Sequence, residues 1–196
     1  ESGITMMMDK GLSLNEAKHF IESSSEYTDI VKLGFGTSLI TPNTHKKIKV
    51  YQDANIKVHV GGTLFEAFII RKMYNEYLEL LERWNISMCE VSDGCIELNH
   101  DEKCNYIKEL SKKYIVVSEV GSKDSEVVVN QSKWIEMMKK ELEAGSWKVI
   151  TESREGGNIG VFNNKGETKD DFIHNIINEI PHDKIIWEAP KKEQQL

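Results

Sequence analysis

The chain has 196 residues, 39% of them hydrophobic and 29% charged, with a formal net charge of −7. That length can bury a real core, and the acidic balance argues against a general nucleic-acid binder, which gathers a basic excess on one face. No run approaches the roughly 20 apolar residues that span a bilayer, and the start lacks the charged, apolar, small-residue order of a leader, although Glu1 is no natural initiator, so a cytoplasmic protein binding neither membrane nor nucleic acid is expected.

The first hydrophobic run, Ile4 to Asp9, leads into Lys10, and Ser13-Leu14-Asn15-Glu16 then reads as a capping box that opens a helix. The second, Ile30 to Gly36, contains Lys32 and runs into Gly34-Phe35-Gly36-Thr37-Ser38. The lysine-rich stretch His45 to Lys49 is expected on a solvated helix surface. A third run, Ile56 to Gly62, ends in Gly61-Gly62-Thr63, and His59 within it is expected as a core or surface residue. Leu64, Phe65, Phe68, Ile69, Met73, Tyr77, Leu80 and Leu81 then recur at three and four residues, the period of one amphipathic helix.

The fourth run, Ser87 to Asp93, carries Glu90, with Cys89 as a small core residue. Tyr114 to Gly121 is the fifth and leads through Glu119 to Lys123. Trp134, Ile135, Met138 and Leu142 mark a further helix that Gly145 should stop, with Lys139-Lys140 on its solvated surface. Met137-Met138 and Trp147 are apolar candidates for an interface. Lys148 to Arg154 includes Glu152 and is followed by the glycine-rich stretch Gly156 to Gly166, where an active-site loop would lie. The last run, Ile185 to Pro190, carries Glu188.

These runs lack strict alternation, as expected of strands covered on both faces. Their starts recur about every 30 residues, the length of a βα unit, and no linker divides them. A single domain over residues 1–196 follows, of the α/β class, as a (β/α)8 TIM barrel with seven βα units visible. Such barrels take about 250 residues, so the eighth strand is expected beyond Leu196. An open doubly wound sheet is the alternative, but Gly34-Phe35-Gly36 lacks the third glycine of a dinucleotide fingerprint. In either fold the carboxyl ends of the strands carry the chemistry.

At those ends lie Lys10, Lys32, Lys123 and Arg154, four cations in an acidic chain, which suits a substrate with several negative charges. Gly61-Gly62 lets the backbone approach a ligand, and Thr63 precedes helix amides that suit an anion; a plain tight turn is the alternative. Glu90, Glu119, Glu152 and Glu188 stand at or near strand ends, where a carboxylate needs a cation or a metal. Oxygen ligands without cysteine or paired histidine favour magnesium over zinc, and pairing of these glutamates with the lysines is the competing account. Cys89, Cys95 and Cys104 are odd in number and lack CxxC spacing, which argues against a zinc site or disulfide framework.

Taken together, Asp9-Lys10-Gly11, Val31-Lys32-Leu33-Gly34-Phe35-Gly36-Thr37-Ser38, Gly61-Gly62-Thr63-Leu64-Phe65-Glu66, Glu90-Val91-Ser92-Asp93-Gly94, Ser118-Glu119-Val120-Gly121-Ser122-Lys123, Glu152-Ser153-Arg154-Glu155 and Glu188-Ala189-Pro190 resemble the phosphosulfolactate synthase family in order along nearly the whole chain. The resemblance implies a (β/α)8 barrel that adds sulfite to phosphoenolpyruvate with magnesium, a carbon–sulfur lyase whose product serves coenzyme M synthesis in methane-producing archaea and is connected with sulfolactate in spore-forming bacilli. It implies an aci-carboxylate intermediate stabilised by magnesium, with Lys123 as general acid and Arg154 beside it in the catalytic set. Lys10, Lys32, Gly61, Gly62 and Thr63 would bind substrate, and Glu90, Glu119 and Glu152 would hold the metal. A homo-oligomer is implied, a trimer being one form. Another barrel enzyme acting on phosphoenolpyruvate or a phosphorylated oxo-acid, or a non-catalytic stress-related relative, are the alternatives.

Overall fold

A computed structural model describes residues 3–121, 130–153, 156–158 and 160–195. The chain divides into two compact units, Glu1–Glu90 with Lys113–Ile115, and Val91–Lys112 with Val116–Leu196.

In the first unit β1 (Met6–Asp9), β2 (Ile30–Leu33) and β3 (Lys57–Val60) form a parallel sheet in that order, with Met6 beside Ile30 and Ile30 beside Lys57. Helix α1 (Leu14–Ser24) links β1 to β2, and α2 (Thr44–Asp53) links β2 to β3. The expected capping box opens α1, Ser13 accepting from the Glu16 amide while the Glu16 side chain accepts from the Ser13 amide. Val31, Leu33, Val58 and Val60 are buried with Ile48 and Tyr51 of α2, so the sheet and its crossover helix share one core.

The strand bearing Lys32 stops at Leu33, and Gly34–Leu39 winds into a 3-10 helix. Two local features turn the chain there: Gly36 adopts φ 68°, and the Thr37 hydroxyl donates to the Gly34 carbonyl.

The apolar period from Leu64 to Leu81 forms two helices rather than one, α3 (Gly62–Ile69) and α4 (Tyr74–Arg83). Lys72 sits at φ 56°, its amide bonds to Ile69 O and the Met73 amide to Phe68 O. These bonds are those of a left-handed C-terminal cap. The apolar stripe continues in phase across the break, with Phe65 and Tyr77 meeting edge to face at 5.5 Å. Lysine is a poor occupant of left-handed backbone. Lys72→Gly should therefore raise stability by about 0.5 kcal/mol, seen as a higher denaturant midpoint at unchanged slope.

Strand β4 (Met88–Val91) carries the chain from the first unit to the second. In the second unit β5 (Ile115–Val120), β6 (Lys148–Thr151) and β7 (Ile185–Trp187) are parallel neighbours, Val117 beside Lys148 and Val149 beside Ile185. Helices α5 (His100–Leu110), α6 (Gln131–Ala144) and α7 (Asp170–Glu179) belong to this unit, and a short α8 (Lys192–Gln195) follows β7. As expected, α6 is ended by Gly145 at φ 118°. Val120, Trp134, Met138, Val149, Val161, Phe162, Phe172 and Ile176 form the core, with Trp134 stacked on Phe172 at 5.0 Å. Met138 is thus a core residue and no part of an exposed interface, while Trp147 is half-buried under the Lys148 ammonium.

All seven expected strands are present, each shorter than its hydrophobic run. The three cysteines are not joined in a disulfide, and burial pushes the Cys89 thiol upward. No helix among the described residues is long and apolar enough to cross a membrane.

Candidate active site

In the first unit the residue that ends β1 organises the loop after it. Asp9 accepts from the Gly11 and Leu12 amides at 2.8 Å on one oxygen, and from the Tyr51 hydroxyl at 2.9 Å and the Lys47 ammonium at 2.8 Å on the other. Gly11 turns the loop at φ 110°, and Lys10 stands exposed on it. Burial and the Asp9 carboxylate both raise the Tyr51 hydroxyl pKa.

Lys47 corrects the expectation of a solvated surface at His45 to Lys49, being 2% exposed. It shares an inward face of α2 with Thr44, Ile48 and Tyr51, an i, i+3, i+4, i+7 pattern that a reading by charge alone overlooks. By contrast, the Lys139-Lys140 expectation holds: both are exposed and pair with Glu179 and Glu136.

Near the ends of β2 and β3 the side chains of Lys32, His59 and Glu90 are buried together. The Lys32 ammonium lies 3.0 Å from Glu90 Oε1, and the Gly62 amide donates to the same oxygen at 2.6 Å. His59 Nδ1 is 3.6 Å from Glu90 Oε2 and 3.1 Å from Val60 O. A Cβ on Gly61 would fall 3.4 Å from Lys32 Cε and 3.3 Å from Leu33 O. The close approach that this glycine permits is thus made by the lysine side chain and the neighbouring strand. Thr63 follows, half-buried in the first turn of α3.

In the second unit the ends of three successive parallel strands bring three carboxylates together. Glu119 lies in β5, Glu152 directly after β6 and Glu188 directly after β7. One oxygen from each lies within 4.8 Å of the others. Glu119 and Glu152 are both 2% exposed. Register explains the meeting: the Glu152 amide bonds to Val120 O at 3.1 Å, the Glu188 amide to Thr151 Oγ1 at 3.4 Å, and the Ser153 amide to Glu188 Oε2 at 3.2 Å.

Two glycines let the backbone around Glu152 close up. A Cβ on Gly121, at φ 131°, would fall 2.8 Å from Glu152 Cβ and would also strike the Trp134 ring. A Cβ on Gly160, at φ 65°, would overlap the backbone oxygen of Glu152. Part of the expected glycine-rich loop therefore rests on the backbone of a residue whose side chain belongs to the site.

Buried beside this centre, Lys103 has its ammonium 2.7 Å from the Glu119 carbonyl oxygen, 2.8 Å from Asp93 Oδ1 and 2.9 Å from Glu141 Oε1. The ammonium, with His100 at 3.2 Å, outweighs burial and holds the Glu141 carboxyl below its ordinary range. The two carboxylates likewise raise the Lys103 pKa against burial.

Three buried or half-buried carboxylates within one ion's reach suit a hard divalent cation, which takes oxygen ligands. Of the three ligands expected from sequence, Glu119 and Glu152 are together here, joined by Glu188. Glu90 lies in the first unit with Lys32. Lys123 and Arg154 lie outside the described residues. His59 takes the core placement, one of the two expected for it, whereas Lys47, Lys103 and Glu141 are buried charged residues whose places the sequence did not indicate.

The model of the family described as (2R)-phospho-3-sulfolactate synthase (ComA) matches residues 1–196. Among curated proteins, the phosphosulfolactate synthase of Bacillus subtilis (strain 168) is 37% identical over 198 residues, covering all of this chain and 79% of that protein. The phosphosulfolactate synthase of Methanothermobacter thermautotrophicus is 33% identical over 202 residues, covering all of this chain and 78% of that protein. Among solved structures, 3-hexulose-6-phosphate synthase from Salmonella typhimurium superposes with a TM-score of 0.57 at 16% identity, over 94% of this chain and 77% of that one. That likeness speaks for the fold alone, the (β/α)8-barrel class, in agreement with the parallel βα units. By the full-length family match and these identities, the chain belongs to the phosphosulfolactate synthase family.

Proposed function

We propose that this protein catalyses the magnesium-dependent addition of sulfite to phosphoenolpyruvate, giving phosphosulfolactate, as a cytoplasmic, homo-oligomeric carbon–sulfur lyase. The observation that carries the reading is the meeting of Glu119, Glu152 and Glu188 in a chain that belongs to this family. Those three carboxylates would hold magnesium, which when bound supplies a positive charge toward which the substrate carboxylate can develop negative charge.

The chain's own residues would do the rest. Sulfite sulfur bonds to the methylene carbon of phosphoenolpyruvate, the double-bond electrons pass toward the carboxylate as an aci-carboxylate, and a proton then reaches the carbon that bears phosphate. The carbon–oxygen bond to phosphate stays intact. Lys10 and Lys32, with the Gly61-Gly62-Thr63 turn, would bind the anionic groups, and Glu90 would hold the Lys32 ammonium in place. By the family resemblance, Lys123 would deliver the proton, with Arg154 stabilising charge as it forms.

Phosphorus NMR of the protein with phosphoenolpyruvate, sulfite and magnesium tests the reading. A new phosphoester signal that requires sulfite and disappears with a chelator is the expected result. Folded, magnesium-loaded protein giving no sulfite-dependent signal would overturn it in favour of another phosphoenolpyruvate-type barrel or a non-catalytic relative.

A further inference from the structure

We infer that Lys103 is a positioning residue for the three-carboxylate centre, acting through the backbone of Glu119; the inference rests on the metal-site reading above. Lys103 lies in α5 and is fully buried. Its ammonium has three N–H donors and three acceptors within 2.9 Å: Asp93 Oδ1 after β4, Glu141 Oε1 on α6 and the Glu119 carbonyl oxygen at the end of β5.

A buried charge network of this kind does little for stability. Desolvation offsets much of the attraction, and apolar replacements of buried ion pairs are often neutral or stabilising. What an ammonium can do, and a hydrocarbon cannot, is hold a carbonyl oxygen at a fixed place.

The carbonyl held here belongs to the residue whose carboxylate joins Glu152 and Glu188. Gly121 follows two residues on, where even a Cβ would collide with Glu152. Fixing the Glu119 carbonyl therefore fixes both the direction of the Glu119 side chain and the backbone against which Glu152 rests. Groups that orient ligands in this way typically contribute 10- to 100-fold to metal affinity.

Manganese as the probe tests this by electron paramagnetic resonance, with no dependence on turnover. The full chain is compared with Lys103→Met/Glu141→Gln, which leaves no unpartnered Glu141 charge, and with Asp93→Ala, a change at the half-buried side of the network. Folded variants should bind manganese about 10- to 100-fold more weakly for the double change, and several-fold more weakly for Asp93→Ala, in both cases below their melting temperature. A folded variant with lowered melting temperature but the parent's manganese affinity would make Lys103 merely structural and overturn the inference. Should the double variant fail to fold, Asp93→Ala decides alone. If the unaltered chain, or Glu119→Gln beside it, shows no site to lose, the metal reading itself fails and takes this inference with it.

Discussion

Glu152→Gln should abolish nearly all magnesium-dependent turnover while leaving the chain folded. The substitution keeps the shape of the side chain and removes one of three carboxylates that lie within 4.8 Å of one another. An amide oxygen is a much weaker ligand for a hard cation than a carboxylate. Loss of an electrophilic metal removes several kcal/mol of transition-state stabilisation, on the order of a 1,000-fold fall in kcat/KM at about 1.4 kcal/mol per tenfold. A second readout needs no substrate. Magnesium at 100 times its Kd should stabilise the parent protein by about 2.7 kcal/mol, roughly 5–10 °C in melting temperature for a chain of this size, and Glu152→Gln should lose that shift. Glu90→Gln is the informative contrast. Glu90 is tied to Lys32 and the Gly62 amide, so its loss should raise KM for phosphoenolpyruvate and leave the magnesium shift in place. Full turnover with a normal magnesium shift in Glu152→Gln would remove Glu152 from the ligand set.

The seven strands were legible because parallel strands buried on both faces leave runs such as Tyr114 to Val117 without a polar face to interrupt them. Capping residues worked equally well, Ser13 and Gly145 acting through local hydrogen bonds and local backbone geometry. The break at Lys72 was not legible, since no glycine marks it and the apolar period continues through it. At the site, sequence placed Glu90, Glu119, Glu152 and Glu188 alike at strand ends, but which carboxylates meet depends on lateral strand register. The same limit applies to Gly61. Its role in a close approach could be read, but that the approaching group is Lys32 could not. Buried lysines were hardest, because a charge on a helix is usually solvated; Lys47 and Lys103 are exceptions made by partners distant in sequence, Asp9 and Glu141.

Gly160→Ala should cost about 3 kcal/mol of stability and, in the protein that still folds, weaken metal binding. Two effects add at this position. The backbone is at φ 65°, where an L residue loses roughly 1–2 kcal/mol. The new methyl would also overlap the Glu152 carbonyl oxygen, and forced overpacking costs roughly 1–3 kcal/mol more. Neither side can yield freely. Val161 and Phe162, next in the chain, are buried in the core, and the Glu152 amide is held by Val120 O. Whatever movement does occur falls on the residue whose carboxylate meets Glu119 and Glu188, so the energetic cost and the loss of site geometry share one cause. Gly156→Ala, four positions earlier, supplies the control. Gly156 is exposed and the three atoms nearest its Cβ would all belong to the Asn158 side-chain amide, which can turn away, so stability within about 0.5 kcal/mol of the parent is expected. Urea unfolding with manganese titration of both variants is the measurement. A Gly160→Ala protein as stable as Gly156→Ala, with unchanged manganese affinity, would show that Glu152 is not held by this contact.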